Sequence, residues 1–143
     1  MRINTKIRYG LRTIIEIANS PNHHGVLQKD IAKNQDISLK YLDSIILALK
    51  VKGLIENEKG KGSGYILSKP SEEITMWDVY SAFEPIIFVD CINNNKFCER
   101  NAECSANDFW CELKRDFELL LLKRTLAQVI QSSNEKLAID SIL

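Results

Sequence analysis

The sequence predicts a mainly α chain with a small β wing: a winged helix-turn-helix followed by a long C-terminal dimerisation helix. Three observations carry this. Apolar residues recur at helical spacing over the first fifty positions, with a break and a tight turn between. A glycine-rich basic hairpin, Lys59-Gly60-Lys61-Gly62-Ser63-Gly64, separates two short strand-like runs. A second helical stretch near the C-terminus is apolar on almost every side.

The elements follow in order. A first helix is expected from Thr5 to Asn19, with Leu11, Ile14, Ile15 and Ala18 as its apolar stripe. Ser20-Pro21-Asn22-His23-His24-Gly25 ends it, and the adjacent histidines read as a solvated turn rather than a metal pair. Leu27–Asn34 forms a second helix. Gln35-Asp36-Ile37 turns the chain, and Ser38 caps a third helix running to about Lys52, since its hydroxyl accepts from a free backbone N–H. Leu42, Ile45 and Leu49 face inward, while Lys40, Tyr41, Asp43 and Ser44 point mainly elsewhere. Gly53 suits a left-handed cap. Strands are expected at Leu54–Glu58 and Tyr65–Ser68, with the glycines supplying the hairpin tip. Thr75 caps a short helix through Phe83, Glu84–Asp90 is extended, and residues 91–108 form a loop. A long helix follows from Asp108 to Lys123, then a short one from Thr125 to about Ile130. Leu113, Phe117, Leu120 and Leu121 line the long helix, and Leu119 and Leu122 carry its apolar surface further round. Such a helix needs cover on more than one side, and a second subunit would supply it. Residues 1–83 thus form one unit and residues 84–143 a second, with the cysteine loop and the dimerisation helix.

The formal net charge is zero, but its distribution is not even. Residues 1–61 carry 11 Lys and Arg against 6 Asp and Glu, a net of +5, and residues 62–143 carry a net of −5. A basic half joined to an acidic half fits a nucleic-acid-reading module beside a sensing and assembly region. No apolar run approaches the roughly 20 residues of a membrane span, and no signal peptide is visible, so the cytoplasm is expected. No nucleophile–base pair suggests an enzyme or a small-molecule substrate. The Lys-Gly-Lys-Gly tip lacks a following helix and a Gly-Lys-Ser/Thr end, so it is not a nucleotide loop.

A helix reads DNA in the major groove, where base edges carry a distinguishable donor and acceptor pattern. Ser38, Lys40 and Tyr41 suit phosphate or base edges, Asp43 can accept from a cytosine amino group, and Ser44 is adaptable. Lys59 and Lys61 ride on a hairpin slim enough for the minor groove or its phosphates. Arg2, Lys6, Arg8 and Arg12 add positive charge at the N-terminus.

All four cysteines fall between Cys91 and Cys111: Cys91, Cys98, Cys104 and Cys111. In a reducing compartment such a cluster points to metal or redox chemistry rather than disulfides. Thiolates suit iron–sulfur clusters, zinc or copper(I). The paired knuckles of structural zinc are missing, and the wide spacing fits a cluster at a domain edge better.

The segments Met1–Leu11, Ile37–Asp43, Gly53-Leu54-Ile55 and Gly60–Tyr65 resemble the IscR, NsrR and CymR family of bacterial winged-helix regulators, over about residues 1–130. The resemblance implies a homodimer joined through the long helix on a roughly two-fold DNA operator. It implies Ser38, Lys40, Tyr41, Asp43 and Ser44 in the major groove and the wing in the minor groove. The wing of the family often carries arginine where this chain has Lys59, which keeps charge and loses bidentate contacts. Cluster-binding members have three cysteines in this region, which implies Cys91, Cys98 and Cys104 as ligands of an iron–sulfur cluster, 2Fe-2S in preference to 4Fe-4S. The pattern breaks at the fourth ligand. The IscR type has a histidine where this chain has Asn107, and the acidic residue of the NsrR type is here Arg8. Cys111 is the leading replacement, ahead of a side chain from the partner's N-terminal helix. Its alternative role is a small hydrophobe in the dimer core. Such a cluster would tie the loop to the start of the long helix and sense redox, nitric oxide or cluster supply. Two other readings stand beside it: the same DNA-binding fold with a thiol–disulfide or zinc switch, and a winged helix used as a protein-interaction module.

Overall fold

The computed structural model describes residues 2–21, 24–86, 88–93 and 98–142. Met1, His23 and residues 94–97 of the cysteine segment, all used in the sequence reading, lie outside the described residues.

α1 (Thr5–Asn19) begins where the Asn4 side chain accepts from the Ile7 N–H at 2.8 Å. Its apolar buried positions are Ile7, Gly10, Ile14 and Ile17. The expected stripe is therefore rotated: Leu11, Ile15 and Ala18 are only partly buried at its edge. The cause is Gly10, where a Cβ would lie 2.2 Å from the Phe83 ring, so the ring takes the space a side chain would fill.

α2 (Gln28–Gln35) ends at Asp36, which takes the left-handed conformation at φ 53°. α3 (Leu39–Val51) starts as expected on Ser38, whose Oγ accepts from the Tyr41 N–H at 3.2 Å. Leu42, Ile45, Ile46 and Leu49 are buried. Gly53 has φ 78°. Its N–H bonds Lys50 O at 2.9 Å and the Leu54 N–H bonds Leu49 O at 3.0 Å, the paired closure of a Schellman end.

β1 (Ile55–Asn57) and β2 (Tyr65–Leu67) are antiparallel, Ile55 opposite Leu67 and Asn57 opposite Tyr65. The wing has a third partner that the sequence did not reveal. Val26 N–H donates to Tyr65 O at 3.0 Å, Tyr65 N–H to Val26 O at 2.8 Å, and Gly64 N–H to His24 O at 2.8 Å. The end of the expected solvated turn is thus docked on the hairpin.

α4 (Met76–Ser81) is fixed by a capping box: Thr75 Oγ1 accepts from Asp78 N–H, and Asp78 accepts from Thr75 N–H. The stretch read as extended and then loop holds a one-turn helix, α5 (Asp90–Asn93), and a 3-10 turn at Asn101–Glu103. α6 (Ser105–Lys123) starts three residues before the expected Asp108, which makes Cys104 its N-cap position. α7 (Leu126–Ile142) continues well past Ile130. Ser132, Ser133 and Asn134 hid this, yet such residues reduce helix stability by only a few tenths of a kcal/mol each. Glu135, Lys136, Leu137 and Ala138 behind them favour helix.

The start of α7 is stitched to α4. Met76 N–H bonds Arg124 O at 2.8 Å, Leu126 N–H bonds Ile74 O at 2.7 Å, and Leu126 is fully buried with Ile14, Ile31, Leu42, Ile45, Leu49, Leu54 and Ile74. α6 packs through Phe117, whose ring meets Tyr80 and Phe88 edge-on at 6.1 and 5.5 Å. None of its residues is fully buried, and Phe109, Leu113, Leu119, Leu120 and Leu122 are exposed.

Candidate nucleic-acid interface and thiol site

The N-terminal turns of α3 present the residues singled out from sequence, but in different states. Lys40 and Asp43 stand exposed. Ser38 is exposed too, with its oxygen already accepting the capping bond and its hydroxyl proton left to donate. Tyr41 is half-buried, its ring edge-on to Tyr9 at 5.8 Å and 87°. Ser44 is half-buried and donates to Tyr41 O at 2.8 Å. It lines a groove of about 370 Å³ with Lys6, Leu47, Val51 and Lys52. Lys40, Ser44, Leu47 and Val51 follow one another at i, i+4, i+7, i+11, the outward stripe of the helix.

Two residues missed in the sequence reading belong to this surface. Gln28, the first residue of α2, donates from Nε2 to Asp43 Oδ1, so the starts of α2 and α3 are joined across it. Lys50 donates from Nζ to Asn57 Oδ1 at 2.8 Å and lies 5.8 Å from the Tyr65 ring centre, tying the end of α3 to the base of the wing. Neither is visible without the tertiary fold, because their partners are 15 and 7 residues away.

At the wing tip Lys59 and Lys61 are exposed, and Gly60 and Gly62 take φ 120° and 76°. Ser63 Oγ closes the tip through Gly60 O at 2.7 Å and Glu58 O. Arg2 is exposed on the segment leading into α1. Arg8 donates to Thr5 Oγ1 at 3.0 Å, and Arg12 is held by Gln35.

The four cysteines are free thiols. Cys91 lies on α5 and Cys98 before the 3-10 turn, both half-buried, while Cys104 and Cys111 are exposed. Cys98 and Cys104 line one open cavity of about 840 Å³ with Glu99, Asn101, Glu103, Asn107 and Asp108. Cys104, Asn107 and Cys111 fall at i, i+3, i+7, one face of α6. The Cys111 thiol reaches Asn107 Oδ1 at 3.7 Å. Cysteine sulfur suits a soft metal or cluster. Yet among the described residues no three His, Cys, Asp or Glu side chains are gathered closely enough to hold a metal ion. The donor chemistry fits such a group, but the donors do not converge among the described residues.

Among the described residues, no helix is long and apolar enough to cross a membrane. Residues 3–132 match the family model of Rrf2, described as an iron-dependent transcriptional regulator. The chain is 34% identical over 135 residues to protein rrf2 of Nitratidesulfovibrio vulgaris, covering 94% of this chain and 90% of that protein. T. potens IscR has a similar structure, with a TM-score of 0.76 at 26% identity, covering 95% of this chain and 90% of the other. The oxidized form of Staphylococcus aureus CymR gives a TM-score of 0.68 at 26% identity, covering 91% and 96%. The relatives named by activity are helix-turn-helix transcriptional regulators, not enzymes. With a winged helix-turn-helix head, a long C-terminal helix and a family match over nearly its whole length, the chain belongs to the Rrf2 family of DNA-binding transcriptional regulators.

Proposed function

We infer that this regulator acts as a homodimer and senses redox, nitric oxide or iron–sulfur status through an iron–sulfur cluster held by the Cys91–Cys111 segment. The observation that carries the reading is the opening of Cys98 and Cys104 onto one cavity at the start of α6, with Cys111 two turns further on the same face. Cys91, Cys98 and Cys104 are the proposed ligands and Cys111 the fourth, standing one turn beyond the Asn107 position. When bound, the cluster supplies redox and nitric-oxide-reactive iron. The exposed stripe Phe109, Leu113 and Leu120 runs along the same helix and favours a second copy as its cover. Residues 1–83 form the reading head and residues 84–143 the sensing and assembly segment, which returns to the head at Leu126. Ser38, Lys40, Tyr41, Asp43, Ser44, Lys59, Lys61 and Arg2 form the proposed operator contacts, with Lys40 and Asp43 exposed on α3 and Tyr41 and Ser44 half-buried.

A thiol switch is the second reading. It is favoured by the free, exposed thiols of Cys104 and Cys111 and by the similarity to an oxidized CymR. Anaerobic purification with an absorption spectrum and iron and sulfide analysis separates the two. Broad visible bands with matched iron and sulfide, lost in Cys111→Ala, support the cluster and its fourth ligand. A colourless protein without iron or sulfide after anaerobic reconstitution overturns the cluster, turns the segment into a thiol or zinc switch and leaves DNA binding in place.

A further inference from the structure

Arg12 reads at first as part of the positive surface that meets phosphate. Although Arg12 is exposed, its guanidinium is engaged by neighbouring groups of its own chain. Nε donates to Gln35 Oε1 at 2.9 Å, Nη2 donates to the Gln35 main-chain oxygen, and Cζ lies over the Tyr9 ring, 5.1 Å from its centre. One turn along α1, Glu16 accepts from Gln35 Nε2 and from Asn34 Nδ2, each at 2.6 Å. An arginine only donates and a carboxylate only accepts, so the pair fixes which way round the Gln35 amide lies. The Gln35 carbonyl is among those at the end of α2 without an intrahelical donor, and a cation there also meets the negative end of the helix. Directly behind Gln35 come left-handed Asp36, buried Ile37 and then Ser38, the cap of α3. On the other side, Tyr9 beneath Arg12 meets Tyr41 in the first turn of α3 edge-on. α1 therefore grips both helices on either side of the turn.

The geometry points to Arg12 and Glu16 as positioning residues for the recognition helix: they set the end of α2, hence the angle at which α3 is offered to DNA, and Arg12 is not a phosphate cation. This rests on the DNA-binding role of the family. It makes two claims that plain electrostatics reverses. A phosphate-binding arginine is replaceable by lysine, whereas a fork that spans a side-chain and a main-chain oxygen while lying on a ring is not. Removing Glu16, an anion, should strengthen DNA attraction if charge alone acts, and should weaken sequence discrimination if position acts.

The probes are a duplex selected by the wild-type protein from a random pool and a scrambled duplex of the same length. Affinity for both is measured against salt for wild type, Arg12→Ala, Arg12→Lys, Glu16→Ala and Lys61→Ala, with thermal unfolding to confirm folding. The expected result for Arg12→Ala, Arg12→Lys and Glu16→Ala is a fall in the selected-to-scrambled ratio of at least about five-fold, comparable with losing one matched base pair. The wild-type salt slope is kept. Lys61→Ala, by contrast, lowers the slope by about 0.9 per lost phosphate contact and keeps the ratio. The inference is overturned if Arg12→Lys restores the wild-type ratio, if Arg12→Ala lowers the slope as Lys61→Ala does, or if Glu16→Ala tightens both duplexes equally. A wild-type protein that selects no duplex removes the DNA-binding role itself, and this inference with it.

Discussion

Gly64→Ala should detach the wing from the body of the protein. Gly64 is buried, and a Cβ there would stand 2.2 Å from both the carbonyl carbon and oxygen of Val26 and 2.7 Å from Leu27 N. Ordinary contact between such atoms needs about 3.5 Å, and these are backbone atoms that cannot rotate away. The two segments must separate by roughly an ångström, on that same contact distance. Three bonds cross this seam, at 2.8, 3.0 and 2.8 Å, and such a shift takes them beyond hydrogen-bonding range. At about 1 kcal/mol net for each bond, the loss is about 2–3 kcal/mol. For a chain of this length that lowers the melting temperature by roughly 6–12 °C. Gly62→Ala is the comparison. Its Cβ meets nothing within 4 Å, and only the φ of 76° opposes it, which reduces stability by about 1 kcal/mol. Calorimetry gives the two melting temperatures, and hydrogen exchange reports the Val26 and Tyr65 amides directly. Gly64→Ala should lose protection at both amides, and Gly62→Ala at neither. A Gly64→Ala protein that melts no lower than Gly62→Ala and keeps both amides protected would refute the reasoning.

Leu126→Ala should destabilise by about 2–5 kcal/mol, the range for emptying a buried leucine site. Leu126 is fully buried in the core of the reading head, whereas Leu137 on the same helix is 65% exposed. Leu137→Ala should therefore change stability by less than about 0.5 kcal/mol in the monomeric state, and denaturant unfolding of the two variants at low concentration checks the contrast. Tyr80 is buried, and burial first, then the neighbouring Glu84 charge, raises its phenol above the ordinary 10.0. The folded state therefore holds the phenolic proton more tightly than the unfolded chain. That contribution is intact below the unfolded value and is lost as pH rises through the folded one. The stability of wild type relative to Tyr80→Phe should stay level up to about pH 10 and fall above it, and a difference that stays level at higher pH contradicts the assignment.

Local chemistry determined a large part of this protein. The bounds of α1, the Ser38 cap, the Gly53 closure, the Thr75 cap and the glycine wing all follow from residues a few positions apart, and the structure keeps them. Of the candidate site, the exposed positions of Lys40, Asp43, Lys59 and Lys61 were legible in the same way. The tertiary structure decided whatever depends on partners distant in sequence. It turned the buried face of α1 towards Phe83 at Gly10, paired Val26 with the wing and drew Leu126 back into the core. It moved the start of α6 to Ser105, which placed Cys104 at a helix cap and set Cys111 along the same face. It also closed the Arg12 side chain on Gln35, 23 residues away. A cap or a hairpin tip is selected by backbone angles that a residue carries with it. Which face is buried, and what a long charged side chain grips, is fixed only when the rest of the chain arrives to supply the partner.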